Sequence, residues 1–253
     1  MKEWLKTCRR KLIAAAIRAM SSPASFDPAG RTTVVAPHPD DEVLACGGLM
    51  GLKSAAGATV DVVFLTSGEA SHNGCCRADP AAIADRRRAI AREAASSLGV
   101  AAGNLHWAGI QDGLVPADND PGFGASVDRI SEILARTKPA EMYCPHPLDC
   151  WPDHEAASRI VLAAVRKSGL PVMVRWYLVW GWHGMSFRRL PRLGRAQRLD
   201  ISSVLPAKYA AINRYTGSGP AGCPSPYIGA LPEGFLDPFR KPYEIFFECR
   251  VMT

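Results

Sequence analysis

No stretch of this sequence approaches the ~20 consecutive apolar residues that cross a bilayer, so no transmembrane helix is expected. Its eight cysteines (Cys8, Cys46, Cys75, Cys76, Cys144, Cys150, Cys223 and Cys249) form no CxxC pair and no regular framework. That speaks against a disulfide scaffold, and a chain of 253 residues has core enough without staples. The thiols are expected to be reduced, as in a cytoplasmic protein. The glycine-rich run "CGGLMG", residues 46–51, lacks the GxGxxG pattern, which removes dinucleotide binding. Internal repeats and a composition break between domains are also missing. The basic residues are not interleaved with aromatics and no nucleic-acid motif occurs, so no nucleic-acid partner is expected.

What is present is ordinary for a globular chain: 47% apolar and 21% charged residues. The net charge is +6, and much of the excess sits in the N-terminal segment and in "FRRLPRLGRAQR", residues 187–198. Residues 1–22 read as an amphipathic helix, with Leu5, Cys8, Leu12, Ala16 and Met20 at three- and four-residue steps. Such a basic helix either lies on an anionic membrane surface as a peripheral contact or packs on the body of the protein. Residues 21–31 read as a linker, and 32–253 as one domain.

Within that domain β-branched runs alternate with helical periods. "TTVVAP", "VDVVFLTSGE", "NLHWAG", "AEMYCPHP", "PVMVRWYLVWGW" and "YEIFFECR" read as strands. Helices are expected after residue 40, over 80–100, near 124–136 and from 152. This is an α/β pattern with a mostly parallel sheet covered on both faces. In such sheets ligands sit beyond the carboxyl ends of the strands. Two polar clusters, "PHPDDE" at 37–42 and "PHPLDCWPDH" at 145–154, both fall at that end.

A catalytic zinc commonly takes three imidazole or carboxylate ligands and leaves one position for water. His38 and Asp41 stand on one turn, and His154 opens a later helix, so a His₂Asp set is chemically reasonable. Asp40, beside them, is placed to take a proton from water. Iron or cobalt fits the same ligands.

The order of "PHPDDE", "TSGE" at 66–69, the Arg-rich helix ending "LGV" at 98–100, "DG" at 112–113 and "PDH" at 152–154 resembles the LmbE-like (PIG-L) deacetylases. The resemblance runs from about residue 32 to 165. It implies a Rossmann-like three-layer fold and zinc-dependent removal of an N-acetyl group from a GlcNAc-type amino sugar or its conjugate, a small-molecule or glycoconjugate substrate. It implies zinc on His38, Asp41 and His154, Asp40 as general base, and Arg87 as a substrate-binding arginine, with a one-residue ambiguity in the run Arg86–Arg88. The family usually has a histidine where this chain has Trp151, and that histidine helps to protonate the leaving amine. Three readings follow: His146 takes the role, Asp40 returns its own proton, or activity is weakened and the protein chiefly binds sugar. His183 is a more distant candidate. A lipid-linked sugar at a membrane is an alternative substrate.

Trp151, in the motif loop, could stack on a pyranose ring. Trp176, Trp180 and Trp182 alternate as core strand residues do. Glu42 is expected to support the ligand loop, and Asp149 and Asp153 to orient neighbours. His72 and His106 read as structural. The adjacent Cys75–Cys76 pair beside His72 stands apart from the other cysteines; its plain reading is a loop with two free thiols.

Overall fold

The computed structural model describes residues 2–249. The chain runs α1 (Lys2–Met20), β1 (Ser22–Pro23), β2 (Thr32–Ala36), α2 (Asp41–Ala55), β3 (Val60–Phe64), α3 (Pro80–Ser97), β4 (Leu105–Trp107), α4 (Phe123–Thr137), β5 (Glu141–Pro145), α5 (Pro152–Ser168), β6 (Met173–Tyr177), α6 (Gly181–Gly184), β7 (Ala196–Asp200), α7 (Leu205–Thr216) and β8 (Tyr243–Glu248). The strands form one eight-stranded sheet in the order β1-β7-β8-β6-β5-β2-β3-β4. All pairings are parallel except those of β8, which runs antiparallel to β6 and β7.

The central strands β2, β3 and β5 are buried along their whole length. That is why they show no polar alternation; their two charged residues, Asp61 and Glu141, are paired with Arg31 and with Lys53 and Arg175. Successive side chains still point to opposite faces. Val34, Ala36, Val62 and Phe64 join the core under α2, α3 and α7, whereas Val35, Val63, Met142 and Cys144 join the core under α1, α4 and α5. The result is a three-layer α/β fold with helices on both faces of the sheet.

Close approach of α2 to its neighbours explains the "CGGLMG" run. A Cβ on Gly48 would stand 2.5 Å from Ile201 Cγ2, and the Gly48 and Leu49 amides donate to Glu244 at 2.7 and 2.8 Å. Glu244 also pairs with buried Lys208 at 2.7 Å. Gly48→Ala is therefore expected to destabilise the protein by about 1–3 kcal/mol in urea unfolding, because overpacking outweighs the ~1 kcal/mol that Ala gains over Gly as a helix former.

Four expectations are corrected. Helix α1 does pack on the body, but through Ile13 and Ile17; Leu12 and Met20 of the anticipated stripe are 60% and 55% exposed, and the Leu5 side chain lies outside the described residues. The anticipated linker contains β1, which pairs with β7. The strand read over 171–182 stops at Tyr177, because the chain turns there into α6. Between residue 182 and the strand "YEIFFECR" no element is anticipated, yet β7 and α7 form there; Arg250, at the end of that anticipated strand, lies outside the described residues. Among the described residues no helix is long and apolar enough to cross a membrane.

Candidate metal centre

Strands β2 and β5 are neighbours, so the turns at their carboxyl ends meet. His38, Asp40 and Asp41 occupy the turn between β2 and α2, and His154 lies in the first turn of α5. His38 Nδ1, Asp41 Oδ2 and His154 Nε2 form a triangle with edges of 3.3, 3.2 and 3.3 Å. Ligand atoms ~2.0–2.1 Å from a tetrahedral zinc lie roughly 3.3–3.4 Å apart. The donor set and its spacing therefore fit one divalent cation.

Hydrogen bonds behind the triangle decide which ring nitrogens face it. Asp149 Oδ2 lies 2.6 Å from His154 Nδ1, while Asp149 Oδ1 accepts the Val179 and Gly181 amides at 2.8 and 2.9 Å. His38 Nε2 lies 3.1 Å from both Asp112 and Asp153. Asp112 is held by the Ala70 amide and Asp153 by the Gly113 amide. With the ring protons donated to these carboxylates, each imidazole turns a lone pair toward Asp41, the arrangement of a ligating histidine. His38, Asp112 and Asp153 form a second possible group, but it uses the His38 nitrogen whose proton orients the ring.

The local charge favours a cation. Burial alone lowers the His154 pKa, yet Asp41 and Asp149 outweigh it and bring it to about 9. The carboxylates likewise raise His38 against burial. Against its own burial, Asp41 is held well below the usual carboxylate range by the two imidazoles.

Asp40 is next to the triangle but is not part of it. Its φ of 131° is one that L residues rarely adopt. Its neighbours impose the conformation. Glu42 accepts the Asp40 amide at 2.8 Å, and Arg87 donates to Asp40 Oδ2 at 2.5 Å and to the Pro39 carbonyl. Arg87 also donates to the Gly68 carbonyl at 3.0 Å, so the guanidinium that was expected to bind substrate is committed to the two loops beside the triangle, although it borders the cavity. Gly68 of "TSGE" is needed for this approach: its φ is 69°, and a Cβ there would stand 2.3 Å from Arg87 Nη1. Burial pushes the Asp40 carboxyl up, and Arg87 draws it only partly back. Burial likewise raises Glu42 to about 7, in spite of its 2.7 Å bond from the Tyr215 hydroxyl.

A cavity of about 270 Å³ opens over these groups. One wall is aromatic. Trp151 stacks on Trp180 at 4.3 Å and 15°, and Trp180 leans on Phe235. Ala70, Ser71 and the segment Ile228–Leu231 also line the cavity. Trp176 is in the core and Trp182 donates to the Leu178 carbonyl, so of the three alternating tryptophans only Trp180 reaches the cavity.

His146 is not brought to the cavity. It is buried against Trp176 and Phe247, its Nε2 donates to the Leu193 carbonyl at 3.2 Å, and its Nδ1 accepts the Leu148 amide at 3.0 Å. Burial lowers its pKa to about 4. Both nitrogens serve the loop that carries Asp149. The unfolded histidine takes up its proton near pH 6.5, whereas the folded one waits until about 4, so stability falls as pH drops through that window. The loss reaches about 3 kcal/mol, and His146→Gln is expected to remove it from the pH dependence of urea unfolding. His183 stacks behind Phe235, away from the cavity lining. His106 is structural, bonded to Asp61 at 2.9 Å.

Sequence reasoning missed Asp112 as a partner of His38, and the whole rim from Ile228 to Phe235. Asp112 had a signal in the "DG" motif; the rim had none.

Residues 33–165 match the family model described as PIG-L: GlcNAc-PI de-N-acetylase. Among curated proteins nothing matches the chain. Among solved structures, the conserved protein TT1542 from Thermus thermophilus is 28% identical, with 76% of this chain and 81% of that one covered and a TM-score of 0.58. The N,N'-diacetylchitobiose deacetylase from Pyrococcus horikoshii is 19% identical over 94% of this chain and 82% of that one, with a TM-score of 0.60. GalB, the 4-carboxy-2-hydroxymuconate hydratase from Pseudomonas putida KT2440, is 22% identical over 83% and 82%, also at 0.60. The last two likenesses show the fold alone.

Proposed function

The chain belongs to the PIG-L family of de-N-acetylases, and from that premise we propose that it hydrolyses the N-acetyl group of an amino sugar or amino-sugar conjugate with the help of zinc. The observation that carries this reading is the triangle of His38 Nδ1, Asp41 Oδ2 and His154 Nε2, with a carboxylate outside it, Asp40, paired with Arg87 and lining the same cavity. A zinc ion held by His38, Asp41 and His154 would supply Lewis acidity, lowering the pKa of a water toward ~7 and polarising the acyl oxygen.

The remaining work falls to side chains. Asp40 takes the proton of the attacking water. Arg87 draws the buried Asp40 carboxyl back toward its anionic form and fixes its position rather than gripping the sugar. Trp151 and Trp180 offer a stacked aromatic face against which a pyranose ring can lie. Trp151, in the place of the family's usual histidine, has an indole N–H that can donate to the developing oxyanion but no proton to give up. Among the described residues that line the cavity, Asp112 is tied to His38 and the Ala70 amide. Asp40 is therefore the group left to return the proton to the departing amine.

The test is product stoichiometry. Zinc-loaded protein incubated with free and conjugated N-acetyl amino sugars is expected to release acetate and free amine in equal amounts, to stop with a chelator and to resume on zinc addition. Sugar binding without acetate, over a broad panel, would identify a binding protein instead; water added to an unsaturated acid, without acetate, would identify chemistry like that named for GalB.

A further inference from the structure

Away from the His38 triangle, four ligating side chains converge. His72 closes the short 3₁₀ helix Glu69–His72, Cys75 and Cys76 follow it in the loop before α3, and Cys223 comes from the loop after α7. His72 Nδ1 lies 3.2 Å from Cys75 Sγ and 3.4 Å from Cys223 Sγ, and those two sulfurs are 3.3 Å apart. Cys76 belongs to the same group, whose four ligand atoms all lie within 4.8 Å of one another. Around a tetrahedral zinc with Zn–S ~2.3 Å and Zn–N ~2.0–2.1 Å, the ligand atoms are roughly 3.5–3.8 Å apart. The cluster is already near that size without an ion in it.

We propose that His72, Cys75, Cys76 and Cys223 form a second metal site, a closed Cys₃His zinc centre that fastens the loop after β3 to the loop after α7. The donor set has no vacancy for water, which marks a structural rather than a catalytic ion. Three thiolates and one imidazole in a tetrahedron select zinc over the hard cations. A Cys75–Cys223 disulfide is the competing use of these thiols. It engages only two of the four groups, and it leaves no reason for an imidazole and a third thiol to share the spot. Hydrogen bonding among neutral thiols is too weak to explain the gathering.

The position gives such an ion a task. Ala70 and Ser71 precede His72, Ile228 to Leu231 follow Cys223, and both stretches line the catalytic cavity. They already touch. A Cβ on Gly229 would stand 3.1 Å from the Ser71 carbonyl oxygen, and the Tyr227 ring meets His72 edge-on at 6.0 Å. A zinc ion at the cluster would hold these two lining stretches together and so fix that part of the cavity wall.

Metal counting and cobalt spectroscopy test this independently of any activity. Full-length protein purified with added zinc and without chelator is expected to carry two zinc ions per chain. Cobalt-substituted protein is expected to show a thiolate-to-cobalt charge-transfer band, which the His38–Asp41–His154 site has no sulfur to produce. Cys223→Ser should lose that band and one equivalent of metal; His154→Ala should lose the other equivalent and keep the band. If Cys223→Ser does not fold, a mercurial thiol reagent applied to the wild type is expected to release one of the two zinc ions. The proposal falls if the wild type binds no more than one metal and shows no thiolate band. It falls equally if rapidly alkylated protein proves to hold a Cys75–Cys223 disulfide.

Discussion

Asp40→Asn is expected to lower kcat by about 10²–10⁴-fold, the usual worth of a positioned general base or acid, while zinc content stays at the wild-type level. The separation of the two readouts follows from the geometry. Asp41, not Asp40, shares the triangle with the two imidazoles, and the Asp40 carboxylate is turned to Arg87. Asparagine is close in shape and tolerates positive φ about as well as aspartate, so the backbone at φ 131° is retained. Its amide oxygen still accepts from Arg87. What the substitution removes is the capacity to take a proton and give it back. Since no other free acid faces the reacting centre among the described cavity residues, loss of Asp40 removes both transfers at once. The effect should therefore sit at the upper end of the range. Measuring acetate release alongside metal content checks it: undiminished turnover would remove Asp40 from the mechanism, and metal loss in parallel would make it a ligand.

The parts of this molecule that were legible in the sequence are those whose pattern is local. β2, β3 and β5 are buried on both faces, so the β-branched runs of β2 and β3 and the Met-Tyr-Cys run of β5 stand out from the flanking turns. His38 and Asp41 are three residues apart on one turn, and "PDH" opens a helix, so the two segments that meet in the His38–Asp41–His154 triangle were both visible in the sequence. Asp149 was also legible as an orienting residue, being five residues before His154.

What was hidden depends on distant contacts. The same Asp149 carboxylate gathers the amides of Val179 and Gly181 just after β6 ends. The anticipated strand therefore stops short, and Trp180 turns from core to cavity. His146 stands in the motif loop but faces Leu193, a residue from the segment that sequence periodicity did not resolve. β7 is an inconspicuous strand because it takes its order from pairing with β8 and the two-residue β1, not from alternation of its own. Cys223 reaches Cys75 across 148 residues, with no spacing to announce it.

Arg87→Gln carries the other large expected effect, and its sign can be worked out. Asp40 and Arg87 are both buried, with side chains 10% and 3% exposed. Removing one partner of a buried pair typically costs about 3–5 kcal/mol. Part of that cost is pH-dependent. Burial already holds the Asp40 pKa above its unfolded value, and Arg87 is the main influence drawing it down. Without Arg87 it rises further, so the folded variant binds a proton that the unfolded chain has released. Stability then declines as pH increases, from the unfolded carboxylate pKa near ~4 up to the raised folded value. The variant should look closest to wild type in mildly acidic buffer and furthest from it in alkaline buffer, as judged by urea midpoints across that range. Activity should move oppositely. The base form of Asp40 becomes scarce at neutral pH, so the acid limb of the kcat/KM profile shifts upward and lost rate returns on raising pH. Arg87→Lys separates charge from shape: it keeps the cation but not the planar fork that reaches Asp40, Pro39 and Gly68 together. It should leave the acid limb near its wild-type position while still losing stability. An unmoved acid limb in Arg87→Gln would mean that Arg87 acts on the loops alone and not on the proton held by Asp40.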